Sequence, residues 1–341
     1  MRRFFCDCMA PVYFENDFCF NCSSALGYDP ERSTLVTLAD WGDGAFRDLH
    51  GNDFRYCANG EDFGVCNWLT PAHASTAFCK ACEFNRTIPD QTSADNKRRW
   101  IVLERAKKRL FYTLSQLKLP MINGWADPQR GLLLDFVEDA RTSEKYPETF
   151  VSTGYLGGVI TINALEADDV ARAEARVGLG ERYRTVLGHL RHESGHYFWS
   201  LFNPDAALLA EFRGIFGDER EDYAAALERH YQSGPTDAWR DEFISVYASS
   251  HPSEDWAECW GHYLHIYDAL DTAWAHQLIG VQPQDMSMRE RLAAWSRISL
   301  MLNELNRSVG LGDAYPFLIN DAVAEKLEYI ELAIGRLRKV L

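Results

Sequence analysis

Eight of the nine cysteines in this 341-residue chain lie before residue 83, at positions 6, 8, 19, 22, 57, 66, 79 and 82, and only Cys259 falls beyond them. A segment so dense in thiols must bond, ligate or bury each one, and that choice dictates its fold. The opening residues, Met1-Arg2-Arg3-Phe4-Phe5-Cys6, carry no apolar stretch of the secretory kind. Cytoplasmic residence is therefore the expectation, and zinc is favoured over disulfides. Cys19-Phe-Asn-Cys22 and Cys79-Lys-Ala-Cys82 have the C-x2-C spacing that lets two thiolates reach one tetrahedral ion. Cys57 with Cys66 completes the second quartet and Cys6 with Cys8 the first. Cys6-Asp-Cys8 has one intervening residue where such a knuckle normally has two, so the second quartet is the stronger pattern. Two structural zinc sites in a zinc-ribbon domain over residues 1–90 are predicted.

The second constraint is local. Residues 192 to 196 read His-Glu-Ser-Gly-His. Positions four apart share a helix face, so His192 and His196 can aim both imidazoles at one ion. Glu193 then stands beside the ion, where it can take a proton from bound water. The flanking apolar residues Tyr183, Val186, Leu187, Leu190, Tyr197 and Leu201 recur at three- and four-residue spacing, which predicts a helix from Glu181 to Leu201 ended by Asn203-Pro204. His189, one turn before His192, reads as an outer or packing residue rather than a ligand.

Composition excludes several classes. No apolar run approaches the ~20 residues that span a bilayer, and a net charge of −15 argues against a nucleic-acid footprint over the whole surface. The basic cluster Lys97-Arg98-Arg99 with Arg105, Lys107, Lys108 and Arg109 reads as the solvated face of a helix near 95–117. Its buried stripe would be Trp100, Leu103, Leu110, Phe111, Leu114 and Leu117. Strands are expected at Leu132–Val137 and Gly158–Ile162, and the latter is a candidate to hold an extended peptide by edge pairing. Helices are expected near 206–214, 219–232, 253–271, 286–307 and 320–339. The resulting fold class is α+β: a zinc-ribbon module, then a small sheet, then a mostly helical body over 91–341.

A catalytic zinc needs a third protein ligand and an open position. The class with a histidine six residues after the second motif histidine is disfavoured, because Phe202 stands there. Glutamate from a later helix is the other common choice, with Glu211, Glu219, Glu221, Glu254 and Glu258 as candidates. In Ser253-Glu254-Asp-Trp-Ala-Glu258, Ser253 reads as an N-cap, so Glu254 and Glu258 fall one turn apart on one face. One carboxylate can bind the ion while the other accepts the remote N–H of a ligand histidine. The opposing reading of Glu254 is a solvated first-turn acid that complements the helix dipole. The His-Glu-x-x-His pattern tips the balance to ligation.

These stretches, together with Val65-Cys-Asn-Trp-Leu69, Asn85-Arg-Thr-Ile-Pro-Asp90 and His251-Pro-Ser-Glu-Asp-Trp-Ala-Glu258, give the chain a resemblance over nearly its full length. It resembles bacterial zinc-binding metallopeptidases that carry an N-terminal zinc ribbon. Its catalytic part also resembles the wider gluzincin group, including the anthrax lethal factor peptidase domain. Cys6-Asp-Cys8 departs from the C-x2-C that relatives usually have. The resemblance implies Glu254 as third ligand, Glu258 behind it, and a catalytic tyrosine seven residues before the ligand, which is Tyr247 here. It implies zinc-dependent peptide-bond hydrolysis on a peptide or protein substrate, with one catalytic and two structural zinc ions. The competing reading is a binding or regulatory protein whose ribbons recognise a protein partner and whose helical metal site is non-catalytic.

Overall fold

The structure is a computed structural model that describes residues 2–143, 145, 146, 148, 150–178, 184–202, 205–235 and 238–339. Glu181, Tyr183, Asn203 and Pro204, invoked above as markers of the motif helix, lie outside the described residues. The chain forms two compact units. One comprises Arg2–Ser115 with Met121–Arg172, the other Gln116–Pro120 with Ala173–Leu341.

The cysteine-rich unit opens with a two-stranded antiparallel pair, β1 (Phe4–Phe5) and β2 (Pro11–Val12). An antiparallel five-stranded meander follows in chain order: β3 (Ala25–Asp29), β4 (Thr34–Gly42), β5 (Ala45–Arg47), β6 (Asp53–Tyr56) and β7 (Leu69–Pro71). Val36, Leu38, Phe54 and Leu69 form a core cluster there. The short helix α1 (Ala58–Glu61) interrupts the meander. Sequence reading overlooked these strands because they are short and lie between the cysteine pairs. After β8 (Asn85–Thr87), helix α2 (Ala94–Gln116) buries Trp100, Leu103, Leu110, Phe111 and Leu114 as the periodicity predicted. The rest of the unit holds β9 (Leu133–Val137), β10 (Gly154–Leu156) and β11 (Val159–Asn163), in a sheet ordered β10-β11-β9-β8.

Two expectations need correction here. Strand β11 pairs on both sides, antiparallel to β10 and parallel to β9, so it has no free edge to offer a peptide. The basic cluster is a solvated face only in part, at Lys97, Arg98 and Arg105. Lys107 and Lys108 are buried, and Arg99 is buried against Asp168 and Asn96. Arg98 and Arg109 pair with Asp168 and Glu15. Charge density alone does not reveal that acids and thiols elsewhere in the unit require these cations.

Helix α3 (Asp169–Gly178) follows in sequence. The helical unit then presents α4 (Val186–Phe202), α5 (Ala206–Phe216), α6 (Tyr223–Ser233), α7 (Trp239–Glu242), a 3-10 turn (Tyr247–Ser250), α8 (Pro252–Ala275), a short turn at Pro283–Asp285, α9 (Met288–Ser308) and α10 (Asp321–Leu337). Short polar side chains start them. Asp205, Asp222 and Asn320 each accept a backbone N–H of the first turn, and Ser287 with Glu290 forms a reciprocal capping box. Helix α8 is capped not by Ser253 but by His251, whose side chain accepts from Ser253 N, with Pro252 as the first helical residue. A proline at that position is preorganised for the helix and moves its start forward.

Helices α4 and α8 make the central seam. The Trp256 indole N–H donates to Gly195 O at 2.8 Å, and that of Trp260 to Ser194 Oγ at 3.0 Å. A β-carbon at Gly195 would lie 3.0 Å from Ala257 Cα and 3.1 Å from Trp260 Cβ, so glycine is what allows the helices to close. Gly214, in α5, has nothing within 4 Å of the same added atom. Gly214→Ala should therefore stabilise the fold by up to about 1 kcal/mol through helix propensity. Gly195→Ala should lose that gain to overpacking and destabilise by about 1 kcal/mol or more. Thermal melting of the two variants distinguishes them, and equal shifts would show that the seam has slack.

Candidate active site and metal centres

The seam places the motif of α4 against the first two turns of α8. His192 Nε2 lies 3.3 Å from His196 Nε2 and 3.0 Å from Glu254 Oε2, and His196 Nε2 is 3.5 Å from the same oxygen. Ligands about 2.0–2.1 Å from a tetrahedral ion are separated by about 3.3–3.4 Å. The three atoms thus have the spacing of one face of such a site. Glu193 belongs to the same cluster, with a carboxylate oxygen within 4.8 Å of both imidazoles, although Glu254 is the closer acid.

His192 is held from both sides. Its Nδ1 sits 2.8 Å from Glu258 Oε1, so that an N–H donated to this carboxylate would leave Nε2 of the neutral ring as the nitrogen able to bind an ion. Burial works against a charged His192, yet the bonds to Glu254 and Glu258 hold its pKa well above the ordinary histidine value. Burial likewise raises the cost of the two acids, and the histidines overcome it. They keep Glu254 well below the usual carboxylate range and bring Glu258 to about 2.

Tyr247, in the 3-10 turn, stands beside this cluster with its ring 5.9 Å from that of His192. Burial and the nearby Glu254 charge push its phenol far above the ordinary tyrosine value, so it stays an O–H donor. Two further residues escaped sequence reading. Tyr223, the first residue of α6, donates its hydroxyl to Glu254 Oε1 at 2.9 Å, and Ser245 donates to Glu258 Oε2 at 2.6 Å. Neither has a fixed offset from the motif, and no sequence signal marks them. The rival third-ligand candidates lie elsewhere. Glu219 is bonded to Arg213 and Glu221 to Arg229, while Glu211 is exposed.

The cysteines converge in two quartets, as their spacing predicted. In the first, Cys6 and Cys22 sulfurs are 3.5 Å apart and those of Cys8 and Cys19 3.7 Å. In the second, Cys66 lies 3.7 Å from Cys79 and 3.8 Å from Cys82, with Cys57 in the same cluster. Sulfurs about 2.3 Å from a tetrahedral zinc are about 3.8 Å apart, whereas a disulfide bond is about 2.05 Å. Both quartets fit the ion. The missing residue in Cys6-Asp-Cys8 does not keep the first apart, since Met9 adopts φ 66° and reverses the chain directly after Cys8.

Residues 96–333 match a family described as "Putative zinc-binding metallo-peptidase", and residues 3–93 match a zinc-ribbon domain. The chain belongs to that metallopeptidase family. An uncharacterized protein of Mycobacterium bovis is 39% identical over 98% of this chain and 95% of its own length. Uncharacterized proteins from two strains of Mycobacterium tuberculosis match to the same extent. No solved structure matches the chain.

The zinc-ribbon region of this metallopeptidase family member contains a further sign of metal chemistry. Lys108 is buried, and its ammonium donates to Val65 O at 3.2 Å and Asn67 Oδ1 at 3.5 Å, both neutral acceptors. Burial opposes its charge, but the Cys66 thiolate and Glu104 hold its pKa above the ordinary lysine value. Lys107 is pushed up to about 12, Glu104 outweighing its own burial, and donates to Glu104 Oε1 and Asn85 Oδ1. Four neutral thiols could not compensate such cations, whereas a zinc tetrathiolate carries two negative charges and does. Lys108→Met should make the second quartet release zinc about tenfold more readily to a chelator, and leave the first quartet unchanged. Release at the wild-type rate would mean that Glu104 alone satisfies the lysines.

Proposed function

We propose that the chain is a zinc-dependent peptidase whose catalytic ion is held by His192, His196 and Glu254. The single observation that carries this reading is the triangle of His192 Nε2, His196 Nε2 and Glu254 Oε2, with edges of 3.0, 3.3 and 3.5 Å, beside the carboxylate of Glu193. When bound there, zinc supplies Lewis acidity for the scissile carbonyl and lowers the pKa of water towards about 7. Glu193 takes the proton of the attacking water and passes it to the leaving amine. Tyr247, kept protonated by its surroundings, donates to the oxyanion that develops on the substrate. Glu258 orients His192. Glu254, Glu258 and Tyr247 follow the gluzincin pattern, a group that includes the lethal factor peptidase domain.

Residues 1–90 form the zinc-ribbon domain in this reading, with one structural ion each for Cys6, Cys8, Cys19, Cys22 and for Cys57, Cys66, Cys79, Cys82. Residues 91–341 form the peptidase domain. The chain acts in the cytoplasm on a peptide or protein substrate, and its ribbons are also suited to a protein partner.

The test is a peptide-library cleavage assay on protein loaded with zinc. Glu193→Gln should retain all its zinc while turnover falls by about 10²–10⁴-fold, because the amide cannot accept the water's proton. Tyr247→Phe should lower turnover by about 10²-fold with little change in zinc content. If loaded wild-type protein cleaves nothing across a broad peptide panel, the binding-module reading replaces this one.

A further inference from the structure

Glu254 has two oxygens with different partners. Oε2 faces the ring nitrogens of His192 and His196, at 3.0 and 3.5 Å, while Oε1 accepts the Tyr223 hydroxyl at 2.9 Å. A carboxylate with both oxygens free can swing, binding an ion through one or through both. The phenol on Oε1 holds the carboxylate turned so that Oε2 is the oxygen presented to the imidazoles.

Tyr223 is brought to this place by a built arrangement. Asp222 caps α6 through Ala225 N, which fixes Tyr223 as the first helical residue. The segment before it is tied to the start of α8, the helix that carries Glu254. His251, the buried cap of α8, accepts Ser253 N at Nδ1 and donates from Nε2 to Glu221 O at 3.2 Å. The Tyr223 ring lies 5.2 Å from the His251 ring. Gly217 adopts φ 101°, and a β-carbon there would come within 3.3 Å of Pro252 Cγ. The glycine permits both the turn and the approach. The phenol and its acceptor are therefore positioned from the same anchor.

We propose that Tyr223 is a positioning residue that locks Glu254 as a one-oxygen metal ligand and thereby keeps a coordination position open for water. The proposal rests on Glu254 being a zinc ligand, as in the function proposed above. Outer partners of metal ligands commonly account for about 10–100-fold in affinity, and the hydroxyl of Tyr223 is such a partner with a definite acceptor. Tyr223 is 44% exposed and the change to phenylalanine removes one oxygen, so the fold should survive it.

The experiment is zinc competition on the full chain. Wild type, Tyr223→Phe, Tyr247→Phe and His196→Ala are titrated with a chromogenic chelator, and retained zinc is counted by native mass spectrometry. His196→Ala identifies which ion belongs to the helical site. Tyr223→Phe should surrender that ion with about tenfold or greater loss of affinity, while the ribbon ions and the melting temperature stay at wild-type values. Tyr247→Phe, whose phenol bonds the Tyr223 hydroxyl rather than Glu254 Oε1, should lose less affinity for it than Tyr223→Phe does. If Tyr223→Phe holds the ion as tightly as wild type while His196→Ala loses it, the positioning role is overturned and the zinc site stands. If His196→Ala itself keeps the full complement of zinc, the site reading fails and the proposal with it.

Discussion

The close approach of α4 to α8 at Gly195 is what the rest of the helical unit depends on. Two indole N–H groups of α8 end on α4, at Gly195 O and Ser194 Oγ, and both acceptors lie inside the five-residue motif. They fix how far the helices slide and rotate against each other. One residue of helical rotation is about 100°, enough to carry Glu254 off the histidine face altogether. The motif is thus both a set of candidate ligands and half of a packing interface, and its middle residues Ser194 and Gly195 serve the second role. The stack of Phe198 on Trp260, with centroids 4.9 Å apart, continues the interface along the seam.

Buried charge organises the two units in opposite senses. In the helical unit Glu193, Glu254 and Glu258 surround two imidazoles, so negative charge exceeds what the side chains can neutralise without a proton or metal cation. In the cysteine-rich unit Lys107 and Lys108 are buried with Glu104 beside a quartet of thiols, and positive charge is in excess unless the thiols ionise. A metal cation bound in each place would answer both imbalances, supplying positive charge among the carboxylates and drawing out the thiolate charge that the lysines require. These are physical reasons for metal in each place that do not depend on motif spacing.

What could be read from the sequence follows from how local each feature is. The motif helix, α2 and the C-terminal helices have apolar periodicity over many residues, and Glu254 and Glu258 are set one turn apart by their own helix. The two quartets are legible because C-x2-C is a local geometry. The strands of the meander are mostly three to five residues long, too short for an alternation to register. The burial of Lys107 and Lys108 is not legible locally, because their partners lie up to 43 residues away in sequence. His251 as cap, Tyr223 and Ser245 are likewise products of tertiary packing. Nothing in their own neighbourhoods distinguishes them from other histidines, tyrosines and serines.

The residues that could not be read complete a simple rule for the site. Each of the two glutamates on α8 has one oxygen on His192 and one on a hydroxyl donor: Glu254 between His192 and Tyr223, Glu258 between His192 and Ser245. The donors come from different segments, the start of α6 and the stretch before the 3-10 turn. A carboxylate fixed at one oxygen only retains a rotation about its last bond, whereas one fixed at both does not. The paired hydroxyls therefore convert two flexible glutamates into rigid parts of the imidazole's surroundings. Sequence spacing puts the acids on the correct face, but their orientation comes from the packing of α6 and the 245–251 segment against α8. Changes in those segments should reach the candidate metal centre as directly as changes in the motif itself.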